Sequence, residues 1–511
     1  MEESGRLKNA SRNIIFGVIL RVYQLLVPFL IRTIMIKVLG VEYVGLNSLF
    51  VSVLQVLNLV ELGVGAAMTF SMYEPVVNHD IAMINALLNL YKKYYRFIGS
   101  IVLLIGLLIV PFIPNLISGS IPNDMNIYIL YLINLSATVL SYWLYAYRNS
   151  IFMAHQRVDI TSKIMIFTET IKYIFQIVSI VWFQNYYLFV IVLVITQILT
   201  NLITAHLSRY YYPVYDGKGV IEKNEEKKIQ QRIKDLFTAK LGGVILTSSD
   251  TIVISAFLGL EALALYQNYF YLITAVTSLL LIVFNSVTAG IGHSLITESR
   301  EKNFSDLNKF TLIITWISGV AVVCFLNLFQ PFMILWVGKD YLLPYSIVIC
   351  FCIYFFISEI NQLLNTYKDA AGIWRSDRFR PLITAGINLT LNLILVKIIG
   401  LYGVILSTVI ATAFVGMPWL IHNLFSTLFD YHLIWKYVKK LMYLFIIVLL
   451  VAFITVYICS YIQINNIFIQ LVVKFLSCIL ISNVTFFIAF FKLQDFDGVI
   501  TIVRRVFKNN Y

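Results

Sequence analysis

Charged side chains and cysteines are scarce in this chain of 511 residues. Asp, Glu, Lys and Arg make up 13% of the sequence, whereas a soluble globular domain carries about 25%. The 60% of residues that are hydrophobic exceed what the interior of a water-soluble fold can hold, which excludes an ordinary soluble enzyme. Five cysteines are too few for a secreted disulfide scaffold, and an aromatic content of 15% excludes a disordered chain.

Recognisable catalytic and metal-binding motifs are also missing. The six histidines have no metal-site spacing with cysteines or carboxylates, no nucleophile–base motif is present, and no glycine-rich phosphate loop is found. We therefore predict no catalytic residues, no metal and no cofactor, and do not expect an enzyme. The net charge of +12 is spread over many short segments rather than one soluble basic face, so nucleic acid is not an expected partner.

Long continuous apolar runs dominate what remains, for example Ile101 to Val110 and Leu441 to Tyr457. Such runs are typical of membrane-spanning helices, whereas an outer-membrane barrel alternates apolar and polar positions in short strands. The sequence predicts an all-α polytopic membrane protein with about fourteen transmembrane helices of ~20 residues each. The first apolar stretch is long and contains Arg21 and Arg32, so we interpret it as the first spanning helix rather than a cleavable signal peptide.

The basic residues indicate how the chain is oriented. Most of the 38 Lys and Arg residues fall in segments that lie on one side of the membrane if the spans alternate in direction. The positive-inside rule then places both termini in the cytoplasm.

A polar stretch divides the predicted spans into six before it and eight after it. We expect a solvated cytoplasmic linker there. The predicted division is an N-terminal six-helix lobe, the linker, a C-terminal six-helix lobe, and two further transmembrane helices with a cytoplasmic tail: 1–207, 208–236, 237–423 and 424–511. A weak internal repeat supports related halves, since 39–42 (LGVE) is echoed by 258–261 (LGLE) and more faintly by 399–402 (IGLY).

Charged residues inside the spans are costly and are therefore candidates for function. Arg21 and Arg32 lie eleven positions apart, which puts them about 20° from the same helix face and about 16 Å apart along the axis. Guanidinium groups suit phosphate because their planar fork makes paired, charge-assisted hydrogen bonds. We predict that they bind an anionic substrate. The alternative is that each extends toward its own membrane surface. Glu61, at a depth similar to that of Arg21, is either its substrate-sensitive partner or part of a permanent ion pair.

Three further intramembrane charges complete the candidate set. Lys172 follows Glu169 by three positions, which favours an ion pair on one helix face, and Lys172 is also a candidate for contact with diphosphate or sugar. Asp250 and Glu359 are candidates for coupling to H⁺ or Na⁺, because burial favours the protonated carboxylic acid. The alternative for both is hydrogen bonding within the helix bundle.

Two short motifs resemble those of a known family. Residues 38–46 (VLGVEYVGL) open the second span and 61–65 (ELGVG) lie further along it. Together with the helix count and layout, they are similar to the polysaccharide-repeat-unit flippases (O-antigen and capsule transporters) of the multidrug/oligosaccharidyl-lipid/polysaccharide exporter superfamily. The resemblance implies two six-helix lobes arranged as a V, with two additional C-terminal helices.

The resemblance also implies a function, in a bacterial cytoplasmic membrane. It implies translocation of an undecaprenyl-diphosphate-linked oligosaccharide by alternating access, with Arg21 and Arg32 holding the diphosphate as cavity arginines do in related lipid II flippases. Expected partners are the lipid-linked oligosaccharide, the bilayer, a coupling H⁺ or Na⁺, and polymerases or glycosyltransferases of the same pathway. The alternatives are an ion-coupled multidrug antiporter of the same fold, using Asp250 or Glu359, and a membrane-embedded polymerase or glycosyltransferase.

Overall fold

The structure is a computed structural model, and all of its regular elements are helices. It describes residues 3–119, 121–122 and 125–501, without the side chains of residues 3–11, 14 and 239. Within the described residues there is no strand, which confirms the predicted all-α class. The α-helices of this part of the chain are α1 (Glu3–Val38), α2 (Val41–Leu57), α3 (Val64–Val77), α4 (Ile81–Ile109), α5 (Ile127–Trp143), α6 (Asn149–Ala154), α7 (Val158–Val181), α8 (Tyr186–Tyr211), α9 (Lys223–Thr297), α10 (Arg300–Trp336), α11 (Tyr345–Ala370), α12 (Arg380–Ile399), α13 (Leu401–Ala411), α14 (Met417–Thr427), α15 (Ile434–Ser460) and α16 (Ile467–Phe490).

The length and apolarity of these helices make the chain a multi-pass membrane protein. Of the described helices, 12 are long and apolar enough to cross a membrane, or up to 13 when the pair α5 and α6, bent by 49°, counts as one span. The sequence predicts about fourteen because it counts 237–258 and 263–296 separately, whereas both lie in the 75-residue helix α9. A straight helix of that length would extend about 110 Å, but the hydrocarbon core is only about 30 Å thick. Gly259 interrupts α9 with a non-helical backbone.

Two compact units make up the chain, Met1–Ala264 and Leu265–Tyr511. In the first unit, α7 packs between α1 and α8, and α5 lies against α4 and α8. In the second unit, α10 contacts α11, α15 and α16, and α12 pairs with α13. The predicted division into 1–207, 208–236, 237–423 and 424–511 stays a prediction.

The glycines of the three echoed tetrads lie where the helix geometry breaks. Gly40 has φ 119° and ψ 164°, and Gly259 has φ 89° and ψ 175°. Gly400, in the fainter copy, also has a positive φ of 57°. Residues with a Cβ rarely adopt these angles, so glycine is the residue that permits each break. The sequence echo therefore coincides with a shared backbone feature at the first two positions.

The polar segment between α8 and α9 is held against α4 by hydrogen bonds to two asparagine side chains. Asn85 accepts a hydrogen bond from the Gly217 backbone N–H (2.9 Å) and donates to the Val214 carbonyl (3.1 Å). One helical turn later, Asn89 donates to the Gly219 carbonyl (2.7 Å). Two side chains at helical spacing thus satisfy the backbone of an irregular segment.

An aromatic cluster fixes the start of the same segment to the turn after α6. The Tyr212 ring stacks on His155 with centroids 4.3 Å apart, and His155 Nε2 lies 3.1 Å from the Tyr215 hydroxyl. Burial, with a smaller contribution from His79, lowers the pKa of His155 to about 4. The imidazole is therefore neutral at neutral pH and remains suited to stacking among uncharged rings.

Candidate functional site

Glu61 lies at a break between α2 and α3, where the sequence predicts one continuous span over 46–72. A 3₁₀ turn, Asn58–Glu61, follows α2, and Gly63 then adopts φ 90° before α3 begins. Glu61 Oε1 accepts hydrogen bonds from the Gly65 backbone N–H (3.3 Å) and the Tyr95 hydroxyl (3.2 Å). A carboxylate is favoured at the N-terminus of a helix, where backbone N–H groups lack partners. Glu61 therefore anchors the start of α3.

The ELGVG motif has a physical explanation in this break. Gly63 supplies the positive φ, and a Cβ there would lie 2.7 Å from Leu236 Cβ. A Cβ at Gly65 would lie 3.0 Å from both Glu61 Oε1 and the Tyr91 hydroxyl. Each glycine leaves room that the neighbouring groups occupy. Glu61 thus contacts Gly65 and Tyr95, and its pairing with Arg21 stays a prediction.

Tyrosines extend this network toward the interior of the first unit. The Tyr91 hydroxyl donates to the Tyr95 hydroxyl (2.7 Å), and the Tyr95 and Tyr142 rings meet edge to face with centroids 5.3 Å apart. The Tyr142 hydroxyl donates to Asn58 Oδ1 (2.9 Å). Asn58 in turn lines a polar cavity.

This cavity, of about 280 Å³, lies among α5, α7, α8 and the 3₁₀ turn, wholly within the first unit. Two apolar residues, Ala137 and Leu193, contribute to its wall. The other lining residues carry hydroxyl, amide or charged groups: Asn58, Thr138, Ser141, Thr168, Glu169, Lys172, Thr196, Gln197 and Thr200. So many polar groups on membrane-spanning helices are unusual, because polar groups are costly in the hydrocarbon layer.

Helical spacing brings these groups to one side of α8. Leu193, Thr196, Gln197 and Thr200 recur at intervals of three and four residues, which is the repeat of one helix face. Thr196 donates to the Val192 carbonyl and Thr200 to the Thr196 carbonyl, both at 2.8 Å. The donors of these hydroxyls are thus satisfied within the helix, while their oxygens can still accept hydrogen bonds.

The cavity's charged residues form an ion pair. Lys172 Nζ donates to Glu169 Oε2 one helical turn away, which confirms the pairing predicted from their spacing. The two side chains are 17% and 22% exposed, and the Lys172 ammonium lies 4.5 Å from the centroid of the Tyr173 ring. Since no other lining residue is ionisable, the described wall of the cavity carries no net formal charge.

Arg21 and Arg32 lie on α1, which packs against α7. The Tyr23 hydroxyl is 2.8 Å from Thr170 Oγ1, which ties α1 to the helix that carries the ion pair. Arg21 is exposed and Arg32 is half-buried. Their role in binding an anion stays a prediction.

The two carboxylates predicted to couple transport to an ion belong to different units. Asp250 is buried in the part of α9 that belongs to the first unit. Glu359, on α11 of the second unit, is 1% exposed. Its Oε1 accepts a hydrogen bond from Thr277 Oγ1 (2.8 Å), and its buried Oε2 has no hydrogen-bond partner among the described residues.

Sequence reasoning identified the two charges of the cavity but missed the uncharged groups around them. The residues missed are Thr138, Ser141, Thr168, Thr196, Gln197 and Thr200, together with the tyrosines of the adjoining network, Tyr91 and Tyr95. Hydroxyl and amide residues at helical spacing inside an apolar run were the available signal. That signal is weak, because threonine and serine commonly bond to their own helix in any span.

A family model described as Polysaccharide biosynthesis protein matches residues 10–289. This range covers more than half of the chain. The chain belongs to the polysaccharide biosynthesis protein family. Both motifs on which the sequence resemblance depends, 38–46 and 61–65, lie inside the matched range, and the resemblance is confirmed. A comparison with curated proteins finds no significant match.

Solved structures show which fold the chain shares. The structure of a lipid II flippase, MurJ, in an inward closed conformation has a TM-score of 0.66 and 17% identity, covering 94% of this chain and 99% of that one. An inward-facing multidrug resistance MATE transporter of the MOP superfamily has a TM-score of 0.61 and 14% identity, covering 79% of this chain and 97% of that one. A MOP superfamily transporter from Pyrococcus furiosus has a TM-score of 0.53 and 14% identity, covering 81% of this chain and 94% of that one. The chain therefore has the fold of MOP superfamily transporters.

Proposed function

We propose that this protein is a flippase that moves an undecaprenyl-diphosphate-linked oligosaccharide repeat unit across the bacterial cytoplasmic membrane for surface polysaccharide biosynthesis. The observation that carries the proposal is the polar cavity within membrane-spanning helices, in a chain of the polysaccharide biosynthesis protein family. A saccharide that enters the hydrocarbon layer unaccompanied loses the hydrogen bonds that water gave its hydroxyl groups, at a cost of several kcal/mol per group. A protein wall of hydroxyl and amide groups replaces those bonds and lowers this barrier.

The diphosphate requires a different environment from the sugars. Its negative charges are stabilised by guanidinium groups, and we assign this role to Arg21 and Arg32 on α1. Alternating access would then move the head group past the arginines while the polyprenyl tail stays in lipid. We place both termini in the cytoplasm, where the basic segments would face the polymerases and glycosyltransferases that handle the same saccharide.

Loss of either arginine is expected to stop polysaccharide export. In cells that lack the chromosomal gene and carry Arg21→Ala or Arg32→Ala, we expect surface polysaccharide to fall at least about tenfold, because one charge-assisted contact to phosphate contributes about 1.5–3 kcal/mol. Immunoblots of surface polysaccharide measure the effect, and membrane fractionation checks insertion. The exposed Lys37 on the same helix provides the control Lys37→Ala. Normal export by both arginine variants would remove α1 from the substrate path.

Glu359 is proposed to couple transport to a cation, either H⁺ or Na⁺, with Asp250 as the second candidate. A buried carboxylate with one oxygen lacking a described partner is stabilised by a proton or a bound cation. We expect Glu359→Gln, which fixes an uncharged side chain of the same shape, to make flipping independent of the ion gradient in proteoliposomes. The control is Glu301→Gln, a change at an exposed glutamate on α10. Unaltered gradient dependence in Glu359→Gln would eliminate this residue as the coupling site.

A multidrug cargo is the alternative for the same fold. Family membership favours the polysaccharide precursor. A deletion strain that keeps its surface polysaccharide but becomes sensitive to cationic drugs would overturn the proposed function.

A further inference from the structure

We infer that the cavity among α5, α7 and α8 binds one uncharged sugar residue of the saccharide, and that it recognises neither the diphosphate nor an acidic sugar. The inference rests on the proposed function and specifies the substrate class for this cavity. It arises from the charge, the hydrogen-bonding groups and the size of the cavity.

The charge of the cavity is the first argument. Lys172 is neutralised by Glu169 on the same helix face, and the lining residues from α5, α8 and the 3₁₀ turn are all uncharged. An anionic group that approached Lys172 would also approach the Glu169 carboxylate, which repels it. A neutral ligand meets no such opposition and leaves the ion pair intact.

The hydrogen-bonding groups are the second argument. Thr138 donates to the Asn134 carbonyl (3.2 Å) and Ser141 to the Thr138 carbonyl (2.6 Å), as the threonines of α8 do within their own helix. These hydroxyl oxygens therefore present acceptors to the cavity. Among the described residues, the side-chain amide of Gln197 and the amide nitrogen of Asn58 make no hydrogen bond. Both groups can therefore donate hydrogen bonds to a ligand in the cavity. A sugar hydroxyl both donates and accepts, so a mixed wall of this kind complements it.

The size is the third argument. At about 280 Å³, the cavity lies just below the range of about 300–1,000 Å³ that is common for drug-sized ligands. It suits one sugar ring, while the rest of the oligosaccharide and its lipid would have to lie outside it. The cavity would therefore select the identity of a single residue in the repeat unit.

The test measures binding of free monosaccharides to the full-length protein in nanodiscs by saturation-transfer difference NMR titration. The probes are glucose, galactose, mannose and N-acetylglucosamine as neutral sugars, with glucuronate and inorganic pyrophosphate as anions. We expect at least one neutral sugar to bind wild type, and Glu169→Gln and Lys172→Met each to weaken that binding about tenfold, because each leaves one uncompensated charge in the cavity. The double variant E169Q/K172M is uncharged again and should recover part of the loss.

Two isosteric variants test the cavity even if the charge variants fail to fold. Thr196→Val and Thr200→Val remove a lining oxygen without changing size or charge, and each should weaken binding several-fold. Thr204→Val is the matched control one turn further along α8, where the hydroxyl bonds to the Thr200 carbonyl (2.7 Å) and does not line the cavity.

Three results would overturn the inference. The first is that no neutral sugar binds the wild-type protein. The second is that a neutral sugar binds but none of the variants at lining residues changes its affinity. The third is that glucuronate or pyrophosphate binds, and that Lys172→Met abolishes this binding while Glu169→Gln strengthens it. The titration does not depend on export. Sugar binding in a protein that cannot restore polysaccharide export would refute the proposed function, while normal export with an anion-selective cavity would refute this inference alone.

Discussion

Replacement of Asp377 by alanine is expected to lower the free energy of unfolding of the second unit by about 3–5 kcal/mol, since it leaves a buried guanidinium without its carboxylate. Asp377 and Arg380 are 3% and 6% exposed. Arg380 donates to both carboxylate oxygens, from Nε to Oδ1 at 2.6 Å and from Nη2 to Oδ2 at 2.8 Å. Asn423 donates to Oδ1 (3.0 Å), and Asn365 Oδ1 accepts from Arg380 Nη2 (2.8 Å). The Asp377–Arg380 pair thereby joins α11, α12 and α14.

Thermal unfolding in detergent, followed by intrinsic fluorescence, measures this effect. Asp216→Ala is the matched control, because Asp216 pairs with Lys218 at the surface, where the two side chains are 49% and 85% exposed. An ion pair of that kind contributes at most about 1 kcal/mol. Equal losses in the two variants would show that the buried pair does not stabilise the junction of α11 and α12.

Replacement of Gly45 by alanine is expected to destabilise the first unit by about 3 kcal/mol or more, at the upper end of the cost of overpacking a core. A Cβ on Gly45 would lie 2.2 Å from the Leu260 carbonyl oxygen and 2.9 Å from the carbonyl carbon. Both are backbone atoms of a buried segment, so no side-chain rotation relieves the overlap. This contact joins the start of α2, shortly after the first echoed tetrad, to Leu260 within the second.

Gly17→Ala provides the comparison for Gly45→Ala. Gly17 also lies within a helix, and a Cβ there would have nothing within 4 Å outside its own helix. Alanine favours helix over glycine by about 1 kcal/mol, so this variant should be neutral or stabilised. The measurement is the fraction of monodisperse protein after extraction, with unfolding midpoints for both variants. A Gly45→Ala protein as stable as wild type would mean that α2 and α9 are farther apart than the structure has them.

The sequence leads more directly to the prediction about Gly45 than to the prediction about Asp377. Gly45 lies in the 38–46 motif and Gly259 in the echoed tetrad 258–261, but their close approach to other backbone required coordinates. The sequence does not single out Asp377 and Arg380, because a spacing of three residues is common and nothing in the sequence reveals burial. Asn423, which completes their site, lies on a helix far along the chain. Contacts over such separations leave no periodic pattern in the sequence.

The sequence by itself determined that the chain is an all-helical membrane protein and that Lys172 pairs with Glu169. These features follow from local properties: hydrophobic length, helical spacing and the cost of charge in lipid. Only the tertiary structure decided that α2 and α3 are separated by a break anchored by Glu61, and that the segment after α8 is fixed to α4. It also decided that hydroxyl and amide groups from three helices and the 3₁₀ turn line one cavity without net charge. Each of these depends on which helix faces meet, and that choice is made by packing between distant segments rather than by any residue's immediate neighbours.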